Sequence, residues 1–304
     1  MKSELIAKLG QTQLESASSL SFLGLGLMGQ PMVGVLRQAG YRLRIWNRDI
    51  SKALALQQAG VDVLKDLAGL AGPPQVLISM LADGAAVLEV AHQALPNLAA
   101  GSVWIDMSST SQLEALQMQA LCAAYQVGFV DAPVSGGVIA ARQASLAIMV
   151  GADLTTFAQV QPILQSLGRA TRVGEVGCGQ LAKLCNQLIV GASIGIVAEA
   201  LLLAQRGGAD PALVHQAIRG GFAESRVLEV HGQRMLQREF PAGAKVSTQL
   251  KDMRNILAAA ERLNLHLPLS AQVTTLYQDL ADYLPDADHA ALLLELERRQ
   301  SMLR

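Results

Sequence analysis

The chain has 304 residues, 51% hydrophobic and 16% charged, which suits two domains with sizeable cores and excludes a disordered chain. Its 24 Lys+Arg against 25 Asp+Glu leave a net charge of -1, and aromatics are 4%, so a basic, base-stacking nucleic-acid surface is excluded. Three cysteines (Cys122, Cys178, Cys185) lack C-x-x-C spacing and five scattered histidines lack H-E-x-x-H, so we expect no disulfide framework, no metal site and a reducing, cytoplasmic setting.

Residues 1–19 carry Lys2, Glu4, Lys8 and Glu15 and no continuous apolar core, so they read as an N-terminal extension rather than a secretory signal. From Leu20 to about Arg172, β-like runs alternate with helical ones. Leu20–Leu23 predicts a first strand, followed by a glycine turn and a helix to about Ala39. Tyr41–Trp46 is a second strand and Val61–Val63 a short third. Gln75–Met80 and Ser102–Asp106 read as buried strands, each followed by a helix, and Gly128–Asp131 and Ser145–Val150 complete the series. Such alternation demands right-handed βαβ crossovers, hence an α/β, Rossmann-type, doubly wound and mainly parallel sheet.

The pattern changes after Gly177. Leu181 to about Arg206 predicts one long helix ended by Gly207-Gly208. Further helices follow at Pro211–Arg219, Glu224–Arg238, Val246–Leu263, Leu269–Tyr283 and Asp288–Arg299, with no strand among them. Asp210 before Pro211 is a helix-start signal. The expected organisation is an extension at 1–19, an NAD(P)-binding domain at 20–180 and an all-α substrate and oligomerisation domain at 181–304. The apolar stretch Leu188–Ala204, interrupted by Glu199, is short for a bilayer crossing and is expected to be a buried helix, with no membrane partner.

Gly24-Leu25-Gly26-Leu27-Met28-Gly29 is a G-x-G-x-x-G between a strand and a helix. In that context Gly24 permits the tight turn, Gly26 lets backbone approach a pyrophosphate, and Gly29 lets helix pack on strand. The free amides at the helix start then face the anion. At the end of the second strand, where an acidic residue would hold the ribose hydroxyls of NAD, stand Asn47 and Arg48. A guanidinium there pairs with a 2′-phosphate, which favours NADP over NAD. The adjacent Asp49 is the competing reading, a carboxylate for the ribose.

Two later segments carry candidate chemistry. Asp131-Ala132-Pro133-Val134-Ser135-Gly136-Gly137 offers a hydroxyl and unobstructed amides for a small carboxylate; an ordinary turn is the bland reading of the same residues. In Gly177–Gln187, Lys183 shares a helix face with Asn186 (i,i+3) and Gln187 (i,i+4). A lysine on so apolar a helix is costly to desolvate, so it either reaches solvent or performs proton chemistry.

These blocks in this order, with Leu250-Lys251-Asp252, resemble the β-hydroxyacid dehydrogenases, and the likeness runs from Leu20 to the C-terminus. KLCNQLIVG, ALLLAQRGGADPALVHQAIRGGFAESRVLE and Asp288–Leu292 resemble the branch acting on tartronate semialdehyde. The resemblance implies hydride transfer between NADPH and a small semialdehyde/β-hydroxyacid pair, such as tartronate semialdehyde/glycerate or methylmalonate semialdehyde/3-hydroxyisobutyrate. It implies a pyrophosphate site at Gly24–Gly29 and an adenosine-ribose site at Asn47 and Arg48. It further implies cofactor contacts at Leu81 and Ala82 (Ala where the family has Pro), Ser109 and Thr110 beside the nicotinamide, and Lys251 closing over the cofactor. The substrate carboxylate falls to Ser135, Gly136 and Gly137, catalysis to Lys183, and substrate contact to Asn186 and Gln187. The family also implies a homodimer or homotetramer. The chain departs from the family pattern at Ala144-Ser145 (Gly-Thr), at Gly151-Ala152 (Gly-Gly) and in the apolar run Val138–Gln143. An imine reductase of the same fold would place Asp or Tyr where Lys183 stands. A decarboxylating 6-phosphogluconate dehydrogenase would be a longer chain, and a non-catalytic cofactor-binding relative would lack the lysine.

Overall fold

A computed structural model describes residues 20–58, 60–241 and 243–302. The expected extension, 1–19, lies outside the described residues. The chain divides into two compact units between Lys183 and Leu184.

The first unit contains β1 (Leu20–Leu23), α1 (Gly29–Gln38), β2 (Leu43–Trp46), α2 (Ile50–Leu54), β3 (Val61–Val63), β4 (Val76–Ser79), α3 (Gly84–Ala94), β5 (Val103–Asp106), α4 (Gln112–Ala124), β6 (Gly128–Asp131), β7 (Val134–Ser135), α5 (Gly137–Arg142), β8 (Leu146–Gly151), α6 (Leu154–Leu167) and β9 (Gly168–Gly174). Their order across the sheet is β3-β2-β1-β4-β5-β6-β8-β7, with β9 against β8. The first six strands pair in parallel. This is the doubly wound, mainly parallel sheet that the alternation demands.

The strand sequences explain the burial. Every residue of β1, β4 and β5 is buried, as parallel strands covered on both faces require. Successive side chains point to opposite faces. Phe22, Ile78, Ile105 and Val130 join one apolar cluster, while Leu23, Leu77, Trp104 and Phe129 join the other. Each fully buried Leu or Ile contributes about 1.5–3 kcal/mol of transfer free energy. Helix starts follow local chemistry: Ser111 and Glu114 form a capping box on α4, and Asp83 and Asp153 cap α3 and α6.

Three features depart from the sequence expectation. β8 runs antiparallel to β6, meeting it only at Asp131↔Gly151, and antiparallel to β7. The two-residue β7 is too short to leave a period. β9, GRATRVG, alternates half-buried and exposed residues at the sheet edge, so it has no apolar run. An edge strand covered on one face carries polar side chains on the other.

Helix α7 (Cys178–Arg206) begins in the first unit and continues into the second, followed by α8 (Pro211–Ala217), α9 (Gln233–Gln237), α10 (Val246–Arg262), α11 (Pro268–Ala281) and α12 (Leu292–Met302). Its Ile194, Val197, Ala198, Leu201 and Leu202 join Leu250, Met253, Tyr277 and Leu292 in the second core. At 29 residues α7 is long and apolar enough to cross a membrane by length and composition. It is only partly buried, contrary to the expectation of a buried helix, because one stripe stays outside the core: Ile189, Ile196 and Leu203 are 62%, 62% and 75% exposed.

The expected helix Glu224–Arg238 is present as a continuous helical run over 226–237, which carries a π-helical turn at Leu228–Gly232 ahead of the short α9. The physical cause is His215 of α8, whose Nε2 donates to the Leu228 carbonyl at 3.0 Å. A side chain that takes a helix carbonyl displaces the regular ladder.

Ala144 sits at φ +54, a left-handed conformation that favours glycine, at the position where the family pattern has Gly. Its Cβ is therefore strained. Ala144→Gly is expected to raise stability by about 0.5–1 kcal/mol, measured by urea unfolding. An unchanged or lowered midpoint would contradict the strain.

Candidate active site

The parallel strands end on one side of the sheet, and the strand order reverses between β1 and β4, the place where open α/β sheets bind ligands. The turn Gly24–Gly29 leaves β1 there, and Leu81–Ala82 follows β4. Gly24 has φ +100, and a Cβ on it would lie 2.3 Å from the Met80 carbonyl oxygen. A Cβ on Gly29 would lie 1.9 Å from the Gly24 carbonyl oxygen. Only glycine fits either place. At Gly26 a Cβ would meet nothing within 4 Å, so the backbone faces open space that a ligand can occupy. Leu25 is buried, Met28 half-buried and Leu27 exposed. Helix α1 starts at Gly29 without a side-chain cap or an acidic residue in its first turn. Gln30 N bonds the Gly26 carbonyl at 3.2 Å and Pro31 has no N–H, so an anion is left to the amides of the glycine turn that opens the helix and to the positive end of its dipole, and the residues present fit a dinucleotide pyrophosphate.

Asn47 is built into this turn. Its Oδ1 accepts from Leu25 N at 2.8 Å, and its Nδ2 donates to the Asp49 carbonyl at 3.0 Å. The amide thus ties the end of β2 to the glycine turn. Asp49 is engaged too: its Oδ1 accepts from Ser51 N at 3.1 Å and Ser51 Oγ at 2.6 Å, capping α2. These hydrogen bonds from Ser51 hold its carboxyl below the usual range. Arg48 is exposed at the end of the same strand.

A second group of residues, among which Ser79, Asp106, Ser108 and Gln180 are absent from the sequence expectations, sets the neighbouring loops. Asp106, buried at the end of β5, accepts from Ser79 Oγ at 2.8 Å and Ser108 Oγ at 2.6 Å. Ser108 Oγ accepts in turn from Leu81 N at 2.8 Å, fixing the Leu81–Ala82 segment. Burial pushes the Asp106 carboxyl up. Asp131, fully buried at the end of β6, accepts from Gly177 N at 2.8 Å and Gln180 N at 2.7 Å, the first turn of α7. Gln180 reaches back, its Nε2 donating to the Ser108 carbonyl at 2.8 Å and its Oε1 accepting from Thr110 N at 3.1 Å. Thr110 is buried and Ser109 half-buried.

One turn into α7, Lys183 Nζ donates to the Val134 carbonyl at 2.9 Å. The lysine is therefore brought to the Ser135-Gly136-Gly137 segment, where Ser135 is half-buried and both glycines are exposed with φ +128 and +66. Lys183 belongs to the first unit; Asn186, Gln187 and Lys251 belong to the second. There Asn186 Nδ2 donates to Gln187 Oε1 at 2.9 Å, Gln187 Nε2 donates to Asp252 Oδ2 at 2.7 Å, and Lys251 Nζ lies 3.5 Å from Asp252 Oδ1.

The histidines are not all scattered. His231 and His289 meet edge to face with centroids 4.5 Å apart, and ligand atoms of His231, Asp288 and His289 lie within 4.8 Å of one another. Arg234 Nη1 donates to Asp288 Oδ2 at 2.7 Å, so this carboxylate already has a cationic partner. Sequence spacing could not reveal the convergence, because His231 lies on a different element from the adjacent Asp288 and His289.

Family models match nearly all of this architecture. The NAD binding domain of 6-phosphogluconate dehydrogenase matches residues 19–178, and the NAD-binding region of NADP-dependent 3-hydroxyisobutyrate dehydrogenase matches residues 177–296. The chain is similar to the 2-hydroxy-3-oxopropionate reductase of Escherichia coli, at 38% identity over 91% of this chain and 97% of that one. It is 31% identical to the 3-hydroxyisobutyrate dehydrogenase of Pseudomonas aeruginosa, over 90% of this chain and 95% of the other. Among solved structures, the Mycobacterium tuberculosis 3-hydroxyisobutyrate dehydrogenase with L-serine superposes with a TM-score of 0.85 at 28% identity, over 92% of this chain and 99% of that one.

Burial pushes the Asp131 carboxyl up to about 6, against the pull of its two backbone donors. A carboxyl raised in the folded state contributes stability that is full below its unfolded value, about 4, and is lost as pH rises through the folded one. Relative to an Asp131→Asn variant, the wild-type urea midpoint should therefore fall as pH is raised from 4 to 6.5. A difference that stays flat across that window would contradict the burial of an ionisable group there.

Proposed function

The chain belongs to the β-hydroxyacid dehydrogenase family, NAD(P)-dependent oxidoreductases of small semialdehydes and hydroxyacids, and from that premise we propose that it interconverts tartronate semialdehyde and glycerate with NADPH, using Lys183 as the proton carrier. The observation that carries the reading is the Lys183–Val134 hydrogen bond, which holds an ammonium beside the Ser135-Gly136-Gly137 backbone. The substrate choice is supported by the 38% identity to the E. coli reductase.

When bound, the cofactor supplies the hydride to the carbonyl carbon. The chain's residues do the rest. Ser135 Oγ and the amides of Gly136 and Gly137 hold the substrate carboxylate, which fixes the carbonyl relative to the lysine. Lys183 hydrogen-bonds the carbonyl oxygen and transfers a proton from Nζ to it as the C=O electron pair moves onto oxygen. In the oxidative direction neutral Nζ takes the hydroxyl proton. Asn186 and Gln187 contact the substrate, and Lys251 closes over the cofactor. Leu81, Ala82, Ser109 and Thr110 line the nicotinamide end. In this reading residues 20–180 are the NAD(P)-binding domain and 181–304 the substrate and oligomerisation domain.

NADP preference rests on Arg48. The carboxylate that would compete for the ribose, Asp49, is engaged in capping α2, and Asn47 in bracing the glycine turn. Arg48 is the side chain left to meet a 2′-phosphate. A homo-oligomer is supported by the apolar stripe Ile189, Ile196 and Leu203, spaced seven residues apart on α7. Three free cysteines support a reducing, cytoplasmic compartment.

Purified enzyme assayed with tartronate, methylmalonate and succinic semialdehydes and a cyclic imine should oxidise NADPH fastest with the first; turnover of the imine alone would overturn the assignment. Lys183→Ala should lower kcat by about 10²–10⁴-fold with NADPH affinity nearly intact. If cofactor binding is lost instead, the lysine is structural. Arg48→Ala should weaken NADPH binding by about tenfold or more and NADH little. Equal weakening of both would show that no 2′-phosphate is read there.

A further inference from the structure

A carboxamide is nearly symmetric in shape and opposite in chemistry at its two ends, so its orientation must be set by its partners. In the second unit a chain of three side chains sets one from a distance. Asp252, on α10, is buried, and its carboxylate oxygens only accept. Oδ2 takes the hydrogen bond from Gln187 Nε2 at 2.7 Å. Gln187 Oε1 is thereby turned the other way, and it accepts from Asn186 Nδ2 at 2.9 Å.

Gln249 locks the middle of the chain. Its Oε1 accepts from Gln187 Nε2 at 3.4 Å, and its Nε2 donates to the Gln187 backbone carbonyl at 3.3 Å. Its Oε1 also lies 3.4 Å from His289 Nδ1. If the Gln187 amide reversed, its oxygen would face two acceptors, the Asp252 carboxylate and the Gln249 carbonyl. Opposing such acceptors in a partly buried place is costly, so the observed orientation is favoured. With its NH2 given to Gln187, Asn186 has its Oδ1 for a donor outside this chain of side chains.

We propose that Asp252 is a positioning residue which, through Gln187, fixes Asn186 as a hydrogen-bond acceptor for the substrate, so that the site selects semialdehydes carrying a hydroxyl. The inference rests on the reading that Asn186 contacts the substrate. A hydroxyl donates to Oδ1; a carboxylate or carbonyl oxygen is repelled by it. A site built around a half-buried, oriented acceptor discriminates against an analogue that cannot satisfy it.

The test compares tartronate semialdehyde, which has a hydroxyl, with succinic semialdehyde, which has none, using NADPH and the full-length enzyme. Asp252→Asn replaces an acceptor-only carboxylate by an amide that can accept or donate, leaving only the longer Gln249 contacts to set the orientation. It should lower kcat/KM for tartronate semialdehyde by about tenfold or more and change that for succinic semialdehyde by less than about threefold. Gln187→Met should erode the same preference with Asp252 intact, a second route if Asp252→Asn folds poorly. A parallel loss on both substrates, or Asp252→Asn and Gln187→Met variants that keep the wild-type preference, overturns the proposal. Wild-type enzyme inactive with both aldehydes would instead overturn the functional reading on which it rests.

Discussion

The placement of the lysine depends on one buried carboxylate. Asp131 closes β6 and receives the amides of Gly177 and Gln180, two of the donors that the start of a helix leaves without intrahelical partners. A fully buried anion is tolerable only with such donors, and a buried helix start only with such an acceptor. Each therefore fixes the other. The fit admits no side chain on either neighbouring glycine, since a Cβ on Gly179 would lie 2.6 Å from the Asp131 carbonyl oxygen and one on Gly151 would lie 2.3 Å from Asp131 Oδ1. With the first turn of α7 held this way, Lys183 follows at a set rotation and rise and meets the Val134 carbonyl.

The same logic spreads across the strand ends. Ser79, Asp106, Ser108, Thr110 and Gln180 form a buried polar chain linking β4, β5 and α7. Trp104 joins it, its Nε1 donating to Ser79 Oγ at 2.8 Å. Networks of this kind hold loops rigidly because each member loses a partner if another moves. The loops so held are the ones where a parallel sheet presents its ligands. Pre-organisation of this sort lowers the entropy lost when reactants are aligned.

Much of the architecture is legible in the chain alone. The apolar runs of β1, β4, β5 and β6 need only composition and spacing, because strands covered on both faces have no polar period to disguise them. Gly24 and Gly29 are legible because steric exclusion leaves glycine no substitute. β9 is not, because an edge strand with Arg169, Thr171 and Val173 outward resembles a loop. The π-helical turn at Leu228–Gly232 is not legible either, since the His215 that bonds its first carbonyl lies on another helix. Asp131 stands in a motif conspicuous for its glycines, yet its bonds to Gly177 and Gln180 reach across 46 and 49 residues of chain, beyond any local pattern.

The sequence by itself determined the class of fold, the pyrophosphate-type turn and the resemblance to hydride-transferring enzymes of hydroxyacids. These follow from short-range rules: periodicity, glycine sterics and residues at fixed offsets along one helix face. Only the tertiary structure decided how polar groups are satisfied. It engaged Asn47 and Asp49 in bracing and capping, tied α7 to β6 through Asp131, and gave Asn186 a fixed orientation through Asp252. Hydrogen bonds between buried groups are chosen by whatever the fold brings within about 3 Å, and that proximity is not written in any local stretch of chain.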